Sequence, residues 1–145
     1  MNFLGWNSEC ELGISEFDEN NKIIVAIFNQ ILKLFYENQL SKEFHKLYAT
    51  LIMYAKKEFD LEQELMKKVK FNQSTLHINQ HNEFFHKIDQ IANVYISGEI
   101  PFAELHKFAN KWLSSHIKQT DRKLISLYYE LHNGPFASPE KVSVK

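Results

Sequence analysis

KFNQSTLHINQHNEFFHKIDQIANVYISGEIP, residues Lys70–Pro101, shows what kind of fold this chain can adopt. It reads as one helix with a stop at each end. Phe84, Phe85, Ile88, Ile91, Ala92 and Tyr95 recur three and four residues apart, the period of an amphipathic helix. Ser74 or Thr75 supplies an N-cap, Gly98 ends the helix, and Pro101 opens the next one. Near the start, His77 and His81 stand four apart, which stacks two imidazoles on one face. That spacing suits a metal ion, but a histidine-rich chain also produces it by chance.

The same period continues on both sides. Ile23, Ile24, Ile27, Ile31, Leu34 and Phe35 mark a first helix. Phe44, Leu47, Tyr48, Leu51, Ile52, Ala55, Phe59, Leu65, Met66 and Val69 mark a second. Phe102, Leu105, Phe108, Trp112, Leu113, Ile117, Leu124, Leu127 and Leu131 mark a fourth. The breaks are short: ENQLS, with Ser41 as a cap, then KFNQST and SGEIP. The four Gly and three Pro lie near the chain ends or in these breaks, so nothing interrupts the helices. Long helices joined by short loops predict an all-α, antiparallel up-down-up-down four-helix bundle. The expected domain is 1–132, with helices at about 18–38, 41–70, 74–97 and 101–132. Residues 1–17 read as an N-terminal arm and 133–145 as a flexible C-terminal tail.

The bulk numbers narrow the function. A chain of 145 residues, 44% hydrophobic, has the size and apolar content of one domain with a real core. The net charge is −1 with both signs interspersed, and no basic stripe points to nucleic acid. The longest wholly apolar run, IIVAIF, falls far short of the roughly 20 residues of a membrane span. No basic region leading into an apolar stretch marks a signal peptide. Cys10 is the sole cysteine, so no internal disulfide forms. A freestanding, monomeric cytoplasmic protein is the expectation.

The informative residues are polar ones at core positions. Glu58 and Glu62 are four apart in the second helix, His77 and His81 in the third. His116 follows Trp112 by one turn in the fourth. Asp121 lies five residues after His116, about 140° around an α-helix, so periodicity alone does not pair them. Three helices thus send imidazole or carboxylate groups towards one interior, where leaving them unpaired costs several kcal/mol. A cation offsets that cost, and mixed nitrogen and oxygen donors suit iron, manganese or zinc. The competing interpretation is that KKEFDLEQELMKK is only a charged, exposed helix face. His45, His86, His106 and His132 read as surface groups. Glu-x-x-His, which di-iron bundles of the ferritin type use twice, occurs once, as Glu83 to His86. No P-loop, GxGxxG, GxSxG, HExxH or CxxC is present.

Four segments together resemble the hemerythrin family in its bacterial single-domain form. They are WNSECELGISEFDENNK, YAKKEFDLEQELM, HINQHNEF and WLSSHIKQTD, spanning about Trp6 to Asp121. The third matches the family's His-x3-His-x2-Phe and the fourth its Trp-Leu-x2-His-Ile-x3-Asp. The resemblance implies two irons in the bundle core. His77, His81 and His116 would be the imidazoles on one iron, and Glu62 and Asp121 the carboxylates bridging to the second. The family's two histidines on that second iron, where O2 binds, are replaced here by Asn21 and Glu58. Carboxylate in place of imidazole adds negative charge and favours harder metals. Two outcomes remain open at this point. Glu58 serves as a replacement ligand, or one metal sits on the three-histidine side with Glu58 solvated or paired to Lys56 or Lys57. The implied function is a non-haem iron protein binding O2 or another small ligand. The alternatives are an oxidase- or peroxidase-like di-iron enzyme and a mononuclear or degenerate bundle acting in metal binding or sensing.

Overall fold

In the computed structural model, which describes residues 3–132, the elements are helical and no strand occurs among the described residues. A short 3₁₀ turn, Ser8–Cys10, lies in the arm. Helices α1 (Ser15–Tyr36), α2 (Glu43–Val69) and α3 (Ser74–Ile96) follow. The fourth rod is composite: α4 (Phe102–Lys111), a π-helical stretch (Trp112–Asp121), then α5 (Arg122–His132). Helical dihedrals at Lys111, Trp112 and Arg122 make it continuous. α1 packs on α2 and α4, α3 packs on α2 and α4, and α5 lies against α2. This is the antiparallel four-helix bundle expected from the sequence. The tail at 133–145 lies outside the described residues.

The helix ends show how short loops reverse the chain. Asn38, Lys70 and Gly98 all take positive φ (56°, 52° and 105°). Each is followed by a 6→1 hydrogen bond: Gln39 N–H to Leu34 C=O, Phe71 N–H to Met66 C=O and Glu99 N–H to Val94 C=O. Three helices therefore end in the same Schellman closure, and only one uses glycine. Ser41 stands one residue before the N-cap of α2, which is Lys42, and its hydroxyl accepts from the Glu43 N–H at 3.1 Å. Ser74 does not cap α3; it is that helix's first residue and donates to the Phe71 carbonyl at 2.7 Å.

The first helix starts at Ser15, three residues earlier than expected, and the difference has a local cause. Asp18 lies inside the first turn and folds its carboxylate back on the arm. It accepts from Leu12 N–H (2.8 Å) and Gly13 N–H (3.0 Å). Asn29 holds the arm further out, accepting from Phe3 and Leu4 N–H and donating to the Leu4 carbonyl. From the fourth rod, Arg122 donates to the Glu9 and Glu11 carbonyls, and the Tyr129 hydroxyl to that of Leu12.

The core divides in two. One cluster gathers Phe28, Phe35, Phe44, Phe59, Phe84, Tyr95 and Trp112 with aliphatic neighbours. The other joins the arm's Leu12 and Ile14 to Phe17, Leu65, Met66, Val69, Leu124 and Ile125. Between them every rod carries polar residues: Asn20 and Asn21 on α1, Glu58 and Glu62 on α2, His77 and His81 on α3, His116 and Asp121 on the π stretch. All eight are buried. The candidate site is thus a polar layer across the bundle, with apolar packing above and below.

Candidate metal centre

The imidazoles and carboxylates of the layer come from three elements, α2, α3 and the π stretch, and α1 adds the amides of Asn20 and Asn21. Glu62 of α2 is central: its Oε1 accepts from His77 Nε2 at 2.7 Å, His81 Nε2 at 2.8 Å and His116 Nε2 at 3.3 Å. The three rings form a near-regular triangle, with centroids 4.7, 5.0 and 5.1 Å apart. Asp121 Oδ1 lies 3.1 Å from both His77 Nε2 and His116 Nε2, without the alignment of a hydrogen bond. Three imidazoles thus crowd one carboxylate oxygen while Glu62 Oε2 and both Asp121 oxygens have no hydrogen-bond partner. Donor atoms arranged around a point, rather than paired one to one, are what a cation requires. The ligand-capable atoms of Glu62, His77, His81 and His116 lie within 4.8 Å of one another, as do those of Glu58, Glu62 and Asp121.

The π stretch explains why an α-helical wheel fails to pair His116 with Asp121. Its i→i+5 bonding brings residues five apart onto one face. The buried residues there are Trp112 and Leu113, His116 and Ile117, then Asp121, spaced at four to five rather than three to four.

Glu58 is buried at 0% exposure, while Lys56 and Lys57 are exposed. This corrects the alternative in which Glu58 is solvated or lysine-paired, and the interpretation of KKEFDLEQELMKK as a purely exposed face. Its Oε1 accepts from the Asn20 amide at 3.3 Å and its Oε2 has no partner. Asn21 is equally buried, and neither atom of its amide is hydrogen-bonded.

Electrostatics set the protonation of this layer without metal. Burial pushes the Glu58 carboxyl well above the usual carboxylate range, and the charges of Glu62 and Asp121 add to the push. Burial acts on Glu62 too, but hydrogen bonds from His116, His77 and His81 outweigh it and hold Glu62 well below its ordinary value. Burial likewise raises Asp121. For the histidines burial works downwards, yet Asp121 and Glu62 overcome it. His77 rises to about 9 and His116 to about 10. At neutral pH these two rings carry protons that a metal must displace.

Four supporting residues were not singled out from the sequence. Gln80 Oε1 accepts from His116 Nδ1 at 2.9 Å, which turns Nε2 towards the centre. The Gln63 amide lies 3.4 Å from His81 Nδ1. Phe59 stacks on His81 with centroids 3.9 Å apart and rings 4° from parallel. Asn20 holds Glu58. Of these, Phe59 is among the second helix's core positions in the sequence and Asn20 falls one turn before Ile24 on the core face, whereas the two glutamines leave no signal. A groove of about 610 Å³ between α3 and α4 reaches His116 past Phe84, Phe108 and Trp112.

A model of the hemerythrin HHE cation-binding domain matches residues 12–128. The chain belongs to the hemerythrin family. A bacteriohemerythrin of Pseudomonas paraeruginosa is 27% identical over 124 residues, covering 83% of this chain and 78% of that protein. One from Clostridium acetobutylicum is 22% identical over 125 residues, covering 83% and 97%. A hemerythrin-like protein of Naegleria gruberi is 26% identical over 118 residues, covering 81% and 87%. No solved structure matches the chain significantly. Hemerythrin domains are non-haem iron and oxygen-binding modules, and this chain carries a buried His/Glu cluster that could hold a metal ion. Among the described residues no helix is long and apolar enough to cross a membrane.

Proposed function

We propose that this hemerythrin-family chain holds two metals in the polar layer and binds O2 or a comparable small ligand there. In this reading residues 1–132 form a single domain. His77, His81 and His116 hold an iron, Glu62 and Asp121 are shared carboxylates, and Glu58 serves the second metal where the family has a histidine. Asn21 offers an amide oxygen or a hydrogen bond. Once bound, the metals supply a redox-active, Lewis-acidic centre. The chain's own contribution is to aim three imidazoles at one point, fix His116 through Gln80 and keep bulk water out. The observation that carries the reading is the convergence of three buried Nε2 atoms on Glu62 Oε1.

The test is anaerobic loading of metal-free protein with Fe(II), then exposure to air, following metal content and near-ultraviolet and visible absorption. Iron uptake and an absorption change on exposure support the proposal. A chain that stays metal-free and spectrally silent sinks it. Glu58 favours a second reading, an oxidase- or peroxidase-like enzyme, because a buried third carboxylate makes the centre richer in hard, anionic donors. Irreversible consumption of O2 or peroxide supports that reading, and reversible O2 uptake counts against it.

A further inference from the structure

The polar layer is lopsided in donor chemistry. One side offers the three imidazole nitrogens of His77, His81 and His116. The other, centred on Glu58, Glu62 and Asp121, offers carboxylate oxygens alone. The remaining histidines lie elsewhere: His45, His86 and His132 are exposed, and His106 stacks on Phe102. Cys10 contacts Asn7 in the arm. From α1 the layer receives only amides, those of Asn20 and Asn21. The carboxylate group is also under-satisfied. Glu58 Oε2, Glu62 Oε2 and both Asp121 oxygens are buried without hydrogen-bond partners, as is the carbonyl oxygen of Asn21.

We propose that the Glu58–Glu62–Asp121 half is an oxygen-only site for manganese(II), so that the protein assembles a mixed iron–manganese pair. This rests on the two-metal reading above and names the second metal. Imidazole donors favour iron over manganese, whereas carboxylate and amide oxygens suit harder ions and separate the two far less. The other hard ions fit poorly. Calcium takes six to eight oxygens in flexible sites, and here five are without hydrogen-bond partners: Glu58 Oε2, Glu62 Oε2, both Asp121 oxygens and Asn21 Oδ1. Magnesium gives up its waters reluctantly, and Glu58, Glu62 and Asp121 are all at 0% exposure. Manganese(II) accepts carboxylates in a dry, compact site.

The experiment offers metal-free, full-length protein equal excesses of Fe(II) and Mn(II) without oxygen. Metal content and EPR are measured after excess metal is removed. One iron and one manganese per chain, with the EPR signal of a coupled pair, is the expected result. Glu58→His should exchange the manganese for a second iron. Glu58→Gln, which keeps the shape and removes the charge, should lose manganese and keep one iron. Helical circular dichroism shows that both variants are folded. Two irons per chain with no manganese overturns this proposal and leaves the two-metal reading standing. A single metal per chain under every condition overturns both, and two manganese ions displacing iron also overturns the mixed pair.

Discussion

At the scale of the residue, the candidate centre depends on side chains that point others as well as on those that face the cluster. Gln80 is the clearest case, because its amide oxygen leaves His116 one orientation for Nε2. Gln80→Leu is expected to weaken metal affinity about 10–100-fold while the fold persists, checked by competition with a chelator. Glu58 and Asn21 are the positions where the chain departs from the family pattern. Restoring both imidazoles, Asn21→His with Glu58→His, is expected to yield two irons per chain and tighter reversible O2 uptake than the parent's. Metal analysis and oxygen titration read the result. Glu58 also marks how far a sequence discloses a site. Its charged neighbours suggest an exposed face, but its position one turn before Glu62, level with Asn20, puts it inside. His77, His81 and Glu62 were legible as a set through spacing and family pattern. Gln63 and Gln80 were not, and Phe59 was legible as a core residue but not as the ring stacked on His81, because a contact across helices leaves no periodic trace in either one.

At the scale of the element, the bundle was legible because four runs of apolar residues share one period and short breaks separate them. The π stretch was not legible, since an α-helical wheel assumes 3.6 residues per turn throughout. The sequence does carry a trace of it: after Ile117 no apolar residue recurs until Leu124, and the buried residue between them is Asp121. The start of α1 was missed for a comparable reason. Asp18 acts backwards on Leu12 and Gly13, so it belongs to the helix and fastens the arm at once. Asp18→Ala removes two hydrogen bonds to a carboxylate, each worth about 1.5–3 kcal/mol when a charge takes part. Partial solvation of the freed amides reduces the loss, and a net cost of about 1–3 kcal/mol is expected in urea unfolding. Because the arm covers the apolar cluster next to the polar layer, the same variant should lose bound metal to a chelator faster than the parent.

At the scale of the whole molecule, the layer makes stability depend on pH in opposite directions with and without metal. In the metal-free protein, His77 and His116 are raised to about 9 and about 10. Their contribution is complete below their unfolded value near 6.5 and is lost as pH rises through 9 to 10. Glu58, whose carboxyl is also raised, acts the same way, since ionising it inside the protein becomes steadily less favourable than ionising it unfolded. Glu62 acts oppositely, stabilising above its unfolded value and losing that contribution in acid. Bound metal needs these histidines neutral and the carboxylates ionised, so loading releases protons and affinity rises with pH. The gap in melting temperature between loaded and metal-free protein is therefore expected to widen from pH 6 to pH 9. Thermal scans across that range check it, and a gap that narrows would contradict the charge assignment.

The π stretch ties the two ends of this arrangement together. Each residue absorbed by its wider turns rotates everything downstream by about 100° relative to an unbroken α-helix. Downstream stand Arg122 and Tyr129, which grip the arm, and Leu124 and Ile125, on which it rests. One backbone irregularity thus sets both the phase at which Asp121 meets the imidazoles and the phase at which α5 meets the arm. The fourth rod behaves as a camshaft with two lobes, and retiming one lobe retimes the other.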